Sequence, residues 1–418
     1  MKKPNYTHTL AACCLAYVTQ SVAAMFLPLL FVQFGTEFGL SIEKLTVLIT
    51  ITFFTQIFVD AAAPFIVKKT GYRALCIIAA AFSFCGVAGL SFMADVVPGA
   101  FWGLLLCTVL YAIGSGLIEV LITPIVDSCP TNKKAGSMAF VHSSYCAGCV
   151  LVVLLSTVYF SAFGVENWRY LALCFSAVPL AAAVAFSIVP IRTPDEVRKR
   201  GRARDMVKNP LFWLFGMVMV CAGASELSMS QWASAFAEAG LGVSKTMGDL
   251  LGPCAFAFLM FIGRIVYGKI SDRVDIVKVM FACSALCVAS YLLASLASNP
   301  IVALMGCCLC GLAVSPMWPA TFSLSGKYMP NISSAVFAAY ALLGDLGCTG
   351  GPTAVGMLSG DSSNISKGLL VAVVFPVVLV ICLAAVKIIH KKSEKAKTQS
   401  CINMHLSLIH ISEPTRPY

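Results

Sequence analysis

The chain alternates long apolar runs with short polar ones, at a spacing that one kind of element explains. A helix that crosses a bilayer needs about 20 mostly apolar residues. Runs of that length begin near Leu10, Ile42, Ala74, Phe101, Ala135, Trp168, Pro210, Met247, Val277, Pro300, Ser333 and Gly368, which predicts twelve spanning helices. The connections are mostly short and carry turn chemistry, such as EFGLS at 37–41 and SNP at 298–300. Between Pro190 and Pro210 the polar stretch is longer and strongly basic, so the pattern divides into six spans, a linker, and six more.

Composition turns this pattern into a class. The 418 residues are 59% hydrophobic and 11% charged, with a mean hydropathy of +0.88. So few charges cannot cover the surface of a soluble protein of this size. The net charge of +10 would suit nucleic acid, but the cations sit in short runs between spans, as membrane topology requires. Lys2, Lys3, Lys68, Lys69, Arg73, Lys133 and Lys134 fall on one side. The linker, Arg264 to Lys278, Lys327 and the cluster Lys387–Lys397 join them. The other side holds only Lys44, Arg169, Lys245 and Lys367. The excess predicts a multi-pass protein of the inner (plasma) membrane with both termini cytoplasmic.

The domain reading follows: a six-helix bundle over 1–190, a basic cytoplasmic linker at 191–209, a second six-helix bundle over 210–392, and a tail at 393–418. The stretch LSLIHISEPTR resembles the translation of a sequencing adapter, so 406–418 are set aside as an artefact, with His405 and His410. No cleavable signal peptide precedes the first span. The nineteen cysteines lie mostly inside apolar runs, such as Cys13-Cys14 and Cys307-Cys308, where cysteine is a small polarizable hydrophobe. The run CCLC has no second ligand cluster at zinc spacing, so neither a metal nor a cofactor is expected.

At Gly263–Arg273 the chain reads GRIVYGKISDR, which resembles the G-x-x-x-D-R signature of the major facilitator superfamily. The resemblance implies that Gly268 allows close helix approach and that Asp272 and Arg273 lock an inner gate. The first-half counterpart, PFIVKKTGYR at 64–73, keeps Lys69, Gly71 and Arg73, with Pro64 and Lys68 at the glycine and aspartate positions. Within the superfamily the chain is similar to the fucose–galactose–hexose proton symporters. IEVLITP sets Glu119 five residues before Pro124, GLAVSPMWPATFSL at 311–324 resembles their tenth span, and GDLGCTGGP at 344–352 their eleventh. Their first-span aspartate falls here at Ala24. The resemblance implies an all-α fold of two six-helix bundles that rock around a central site, and proton-coupled uptake of a monosaccharide.

The polar residues inside spans carry the candidate chemistry. A charge at mid-bilayer costs about 2.5–3.5 kcal/mol on insertion scales, so such residues are expected to be functional. Glu119 is the expected proton-coupling carboxyl, because low-dielectric surroundings favour its neutral form; its alternative role is a neutral hydrogen bond to a facing helix. Asp345, among glycines, and His142, in a stripe with Ser143 and Ser144, are further proton-coupling candidates. Their alternative roles are a helix-packing bond and a hydrogen-bonded ring. Glu226 is placed in the outer half of span seven, as a gate or solute contact or as an interfacial carboxylate. Asp60 is expected to pair with Lys68 or Lys69. Sugars stack on aromatic rings while amides and carboxylates meet their hydroxyls, which makes Gln20, Trp318, Phe322 and Tyr340 solute-binding candidates beside Glu226. Trp102 and Trp232 are expected to anchor span ends, and Pro316 and Pro319 to break span ten.

Arg264 belongs to the gating motif, so no cation is expected in mid-membrane, and a neutral solute or a cation fits better than an anion. The partners predicted are a small solute, protons or sodium as driving ion, and the bilayer, but no nucleic acid; the carrier is expected to be a monomer and not an enzyme. Two other readings suit parts of the sequence. A proton-driven cation or drug exporter would use the same acids, but the fifth span, YCAGCVLVV, lacks the proline of the G-x-x-x-G-P turn. A non-transporting sensor or membrane enzyme would need a catalytic cluster, and no HExxH or GxSxG occurs.

Overall fold

The computed structural model describes residues 6–130, 134–192, 208–271, 273–329, 334–361 and 364–391. The linker core, Asp272, and the tail with 406–418 lie outside the described residues. Among the described residues there are helices and no strands. The spans are α1 Tyr6–Phe38, α2 Ile42–Thr70, α3 Tyr72–Val96, α4 Ala100–Ser128, α5 Lys134–Phe163, α6 Trp168–Ile188, α7 Pro210–Gly240, α8 Lys245–Ile270, α9 Ile276–Leu296, α10 Pro300–Tyr328, α11 Ser334–Ser359 and α12 Ile365–Lys391. Eleven are long and apolar enough to cross a membrane. The remaining one, α11, has the length of a span but is rich in glycine and carries Asp345.

Local chemistry sets the helix ends. Asn209 and Asn299 each precede a proline at the first helical position, and their side chains accept from the backbone N–H two residues on, at 3.0 and 2.9 Å. The cap satisfies an orphan donor, and the proline loses nothing there. After α2, Gly71 takes φ +79°, a turn that a side chain would strain. Arg73 follows it and donates to the carbonyls of Phe186, Ser187 and Val189 at 2.7–3.0 Å. These are the end of α6, where a cation also meets the negative end of the helix dipole. Arg73→Ala is expected to lower the melting midpoint of the detergent-purified protein by a few degrees, about 1–2 kcal/mol after allowing for exposure of the side chain. An unchanged midpoint would show that the cap contributes nothing.

Helices α1–α6 and α7–α12 form two bundles, and close backbone approach holds each together. A Cβ at Gly114 in α4 would meet the Ala79 carbonyl of α3 at 2.4 Å, and one at Gly347 in α11 would meet the Val220 carbonyl of α7 at 1.9 Å. Lipid offers no hydrophobic drive between helices, so van der Waals contact across such small residues replaces it. Large apolar side chains point outward on α3, α6, α9 and α12, as with Phe92, Leu180, Leu296 and Ile381, where lipid is their solvent. The described cysteines are free thiols, most of them buried.

The bundles meet along two seams, α2 against α11 and α5 against α8. Two spans break beside the space between them. In α1 a short 3₁₀ turn, Leu27–Leu30, surrounds Pro28. In α10 the helix stops at Val314 and resumes at Met317, so Pro316 interrupts it as its sequence predicts, whereas Pro319 falls within the first turn of the resumed helix, where its missing N–H breaks nothing.

Candidate functional site

The site is built from residues spaced three or four apart, which share a helix face. In α1, Tyr17 and Gln20 point at α4 and α5. Gln20 Nε2 donates to Glu119 Oε2 at 2.9 Å. Thr123, one turn beyond Glu119, lies 3.3 Å from His142 Nε2, and the other ring nitrogen of His142 lies 3.2 Å from the Tyr17 hydroxyl. So Glu119 and His142 share one wall of the first bundle, joined through α1 and α4. His142 is a hydrogen-bonded ring, and its partners are Tyr17 and Thr123.

The second bundle brings an ion pair. Glu226 of α7 is buried and its Oε1 lies 3.5 Å from Arg264 of α8, whose Nη1 donates to Cys146 Sγ of α5 at 3.1 Å. This bears on two expectations. Of the two roles open to Glu226, its burial removes the interfacial carboxylate in water and leaves the gate or solute contact, and Arg264 is a mid-bundle cation, because its side chain turns inward from α8 along the α5 seam. Glu119 stands within electrostatic reach of Glu226, Asp60 and Asp345.

Asp60 corrects a third expectation. Its carboxyl turns away from Lys68 and Lys69 and faces Asp345 across the α2–α11 seam, packed on Gly116 of α4. One oxygen of each aspartate is buried without a partner.

Distant from the ends that carry the termini, the opposite face is closed. Gln231 Nε2 donates to the Ala24 carbonyl at 3.1 Å, the Thr50 and Thr353 hydroxyls meet at 2.5 Å, and Trp232 packs on Phe31 with ring centroids 5.4 Å apart. Trp232 is therefore no interfacial anchor. It is 1% exposed and donates to the Pro352 carbonyl, which makes it part of the plug; Trp102, 61% exposed, does sit as an anchor would. Lys245 seals this face, with Nζ bonded to the Leu29 carbonyl at 2.5 Å and to Ser234 and Asp249 at 3.0 Å. Glu238 lies 3.7 Å away. Toward the terminal face the walls part. Thr123 and His142 are exposed and Glu119 is half-buried.

Lys245 was not legible as functional in the sequence. Its only signal was the i,i+4 spacing to Asp249, which any helix surface can carry. Lys245→Met should release α1 from α7 and α8. Spin labels on those helix ends at this face are then expected to show longer distances than in the parent protein. An unchanged distance distribution would remove Lys245 from the closure.

The remaining candidates separate. Trp318 and Phe322 are half-buried on α10, with Trp318 lying against Gly344 beside Asp345. Tyr340 is fully buried and stacks on Phe212 at 5.4 Å, so in this conformation it packs α11 on α7 and does not reach the carboxyls. In the gating motif, Arg273 and Lys69 are exposed, and Asp272 lies outside the described residues. Gly268 does not mediate close approach: nothing lies within 4 Å of where its Cβ would be. Gly263, one turn earlier, is the crowded glycine, with Ser315 Oγ 2.2 Å from its Cβ position, because α8 and α10 cross there.

Twelve helices in two bundles around buried carboxyls are the architecture of a membrane transporter. The model of the Major Facilitator Superfamily matches residues 9–352, and the chain belongs to that superfamily. It is similar in structure to a D-xylose–proton symporter (TM-score 0.76, 14% identity, 91% of this chain and 97% of that one). A bacterial homolog of the human lysosomal transporter Spinster, in an inward-facing and unoccupied conformation, matches with TM-score 0.70 and 16% identity over 94% of this chain and 98% of that one. The E. coli fucose:proton symporter FucP matches with TM-score 0.63 and 16% identity over 91% and 99%. In sequence, the glucose/mannose transporter GlcP of Bacillus subtilis (strain 168) is 33% identical over 142 residues, 32% of this chain. The match spans about a third of the length of that relative.

Proposed function

We propose that the protein takes up a small neutral solute, a monosaccharide first among candidates, together with protons, by alternating access of bundles 1–190 and 210–392. It would work in the plasma membrane with both termini cytoplasmic, which makes the parted face the cytoplasmic one and this conformation inward-facing. The observation that carries the reading is Glu119. It is a half-buried carboxyl in mid-span, held by Gln20 across from Glu226. A proton taken from outside and released inside neutralises that carboxyl for part of each cycle, which is what coupling requires. Sugar-proton symporters among the structural relatives support the solute class, as does GlcP in sequence.

Proteoliposomes test it directly. Addition of D-glucose, L-fucose or D-xylose outside should alkalinise the medium as solute and proton enter together. Uptake that ignores an imposed pH gradient would end the coupling claim. Drug resistance on expression, with no sugar-dependent proton movement, would instead favour the export of cations by the same acids.

A further inference from the structure

The Arg264–Glu226 pair is incompletely bonded, and the way it is incomplete points to a ligand. A guanidinium has five N–H donors in a rigid fork. Here Nη1 meets a thiol sulfur, a weak acceptor, and the nearest Glu226 oxygen is 3.5 Å from Arg264 Nη2, at the limit of a hydrogen bond. Arg264 Nε is buried without a partner, and so is Glu226 Oε2, on a residue only 7% exposed. Across from them, Gln20 spends its amide N–H on Glu119 and leaves Oε1 buried without a partner, on a residue 9% exposed. Buried polar atoms are nearly always bonded, and a buried ion pair is kept without cost only when its geometry is close. Arg264 reaches across to Cys146 of the first bundle, so the unused donor and acceptor of the pair lie buried beside the seam between the bundles.

The chemistry of the complement is restricted. A cation would satisfy Glu226 but meet Arg264. An anion would satisfy Arg264 but meet Glu226, Glu119 and the Asp60–Asp345 pair. A hydroxyl both accepts and donates, and two neighbouring hydroxyls can take one N–H from the guanidinium while giving an O–H to the carboxylate.

We propose that Arg264 and Glu226 form the recognition dyad for a vicinal diol of an uncharged polyhydroxylated solute, with Gln20 Oε1 accepting from a further hydroxyl from the opposite bundle. This rests on the uptake reading above and adds to it the chemical group recognised and the residue, Arg264, that the gating motif had claimed. Glu119 carries the proton and the dyad holds the solute, so the two roles separate by mutation.

Thermal stabilisation and calorimetric binding of the purified full-length protein test this. The probes are D-glucose, L-fucose, D-xylose and erythritol as neutral polyols, D-glucuronate as an anion and tetraethylammonium as a cation. At least one neutral polyol should bind the parent protein. Arg264→Gln or Glu226→Gln should weaken that binding by about tenfold to a hundredfold, the loss of one or two bonds to a charged group. The double variant R264M/E226L leaves no charge unpaired, so it should keep the unliganded melting midpoint while losing polyol binding. Polyol binding that survives in the folded double variant overturns the dyad and leaves sugar uptake standing. A parent protein that binds only glucuronate, only tetraethylammonium, or none of the probes overturns the dyad and the sugar reading together.

Discussion

Glu119→Gln is expected to abolish accumulation of the solute against its gradient while leaving exchange of solute across the membrane intact. A glutamine has the shape of the protonated acid and its carbonyl oxygen can still accept from Gln20, so the 2.9 Å contact survives. What is lost is the ability to release the proton. One pH unit is worth about 1.36 kcal/mol, so a carrier moving one proton per solute concentrates that solute about tenfold across a one-unit gradient. In the variant the ratio should fall to about unity, and solute counterflow should lose its pH dependence. Radiolabelled uptake in proteoliposomes, with and without a pH jump, reads both. Accumulation at the parent level would remove Glu119 from coupling. It would pass the role to the Asp60–Asp345 pair, which is the other acid site that spans the two bundles.

The second large effect is on stability. Gly347→Leu is expected to prevent α7 and α11 from packing. Its Cβ would lie 1.9 Å from the Val220 carbonyl oxygen, and the same crossing already brings Gly223 against the Gly344 carbonyl and Gly351 against the Ala224 backbone. The obstacle is backbone on both sides, so no side-chain rotamer relieves it. Overpacking of this kind costs on the order of 3 kcal/mol or more. The purified variant should aggregate or melt far below the parent in size-exclusion and thermal assays. Gly350→Leu, three residues along the same helix, is the control, since nothing lies within 4 Å of its Cβ position. Equal stability of the two variants would contradict the close crossing.

Both predictions concern α7 and α11 or the space they border, and this is where reading the chain alone reached its limit. The spans, their number and the break at Pro316 were legible because each follows from one segment meeting one solvent: length, hydropathy and a missing N–H are local properties. Glu119 was legible for the same reason, since the cost of a carboxyl in lipid is charged to its own helix. Its contact with Gln20 was not, although both residues had been singled out.

Which partner a polar side chain chooses depends on how two helices far apart in the chain are rotated and how deeply each sits. Asp60 had lysines eight and nine residues away in sequence, yet it faces Asp345, and Arg264 left its motif to meet Glu226. Trp232 looked like a span-end anchor and is instead part of the plug, because the two bundles lean together on that face. Gly268 was read as a close-approach glycine, yet nothing lies within 4 Å of where its Cβ would be.

Insertion into the bilayer is decided one helix at a time, so the sequence by itself determined that twelve helices cross and that a few costly acids lie inside them. The pairing of those acids, the inward-turned arginine and the face that is shut are properties of surfaces brought together, and only the tertiary structure could decide them.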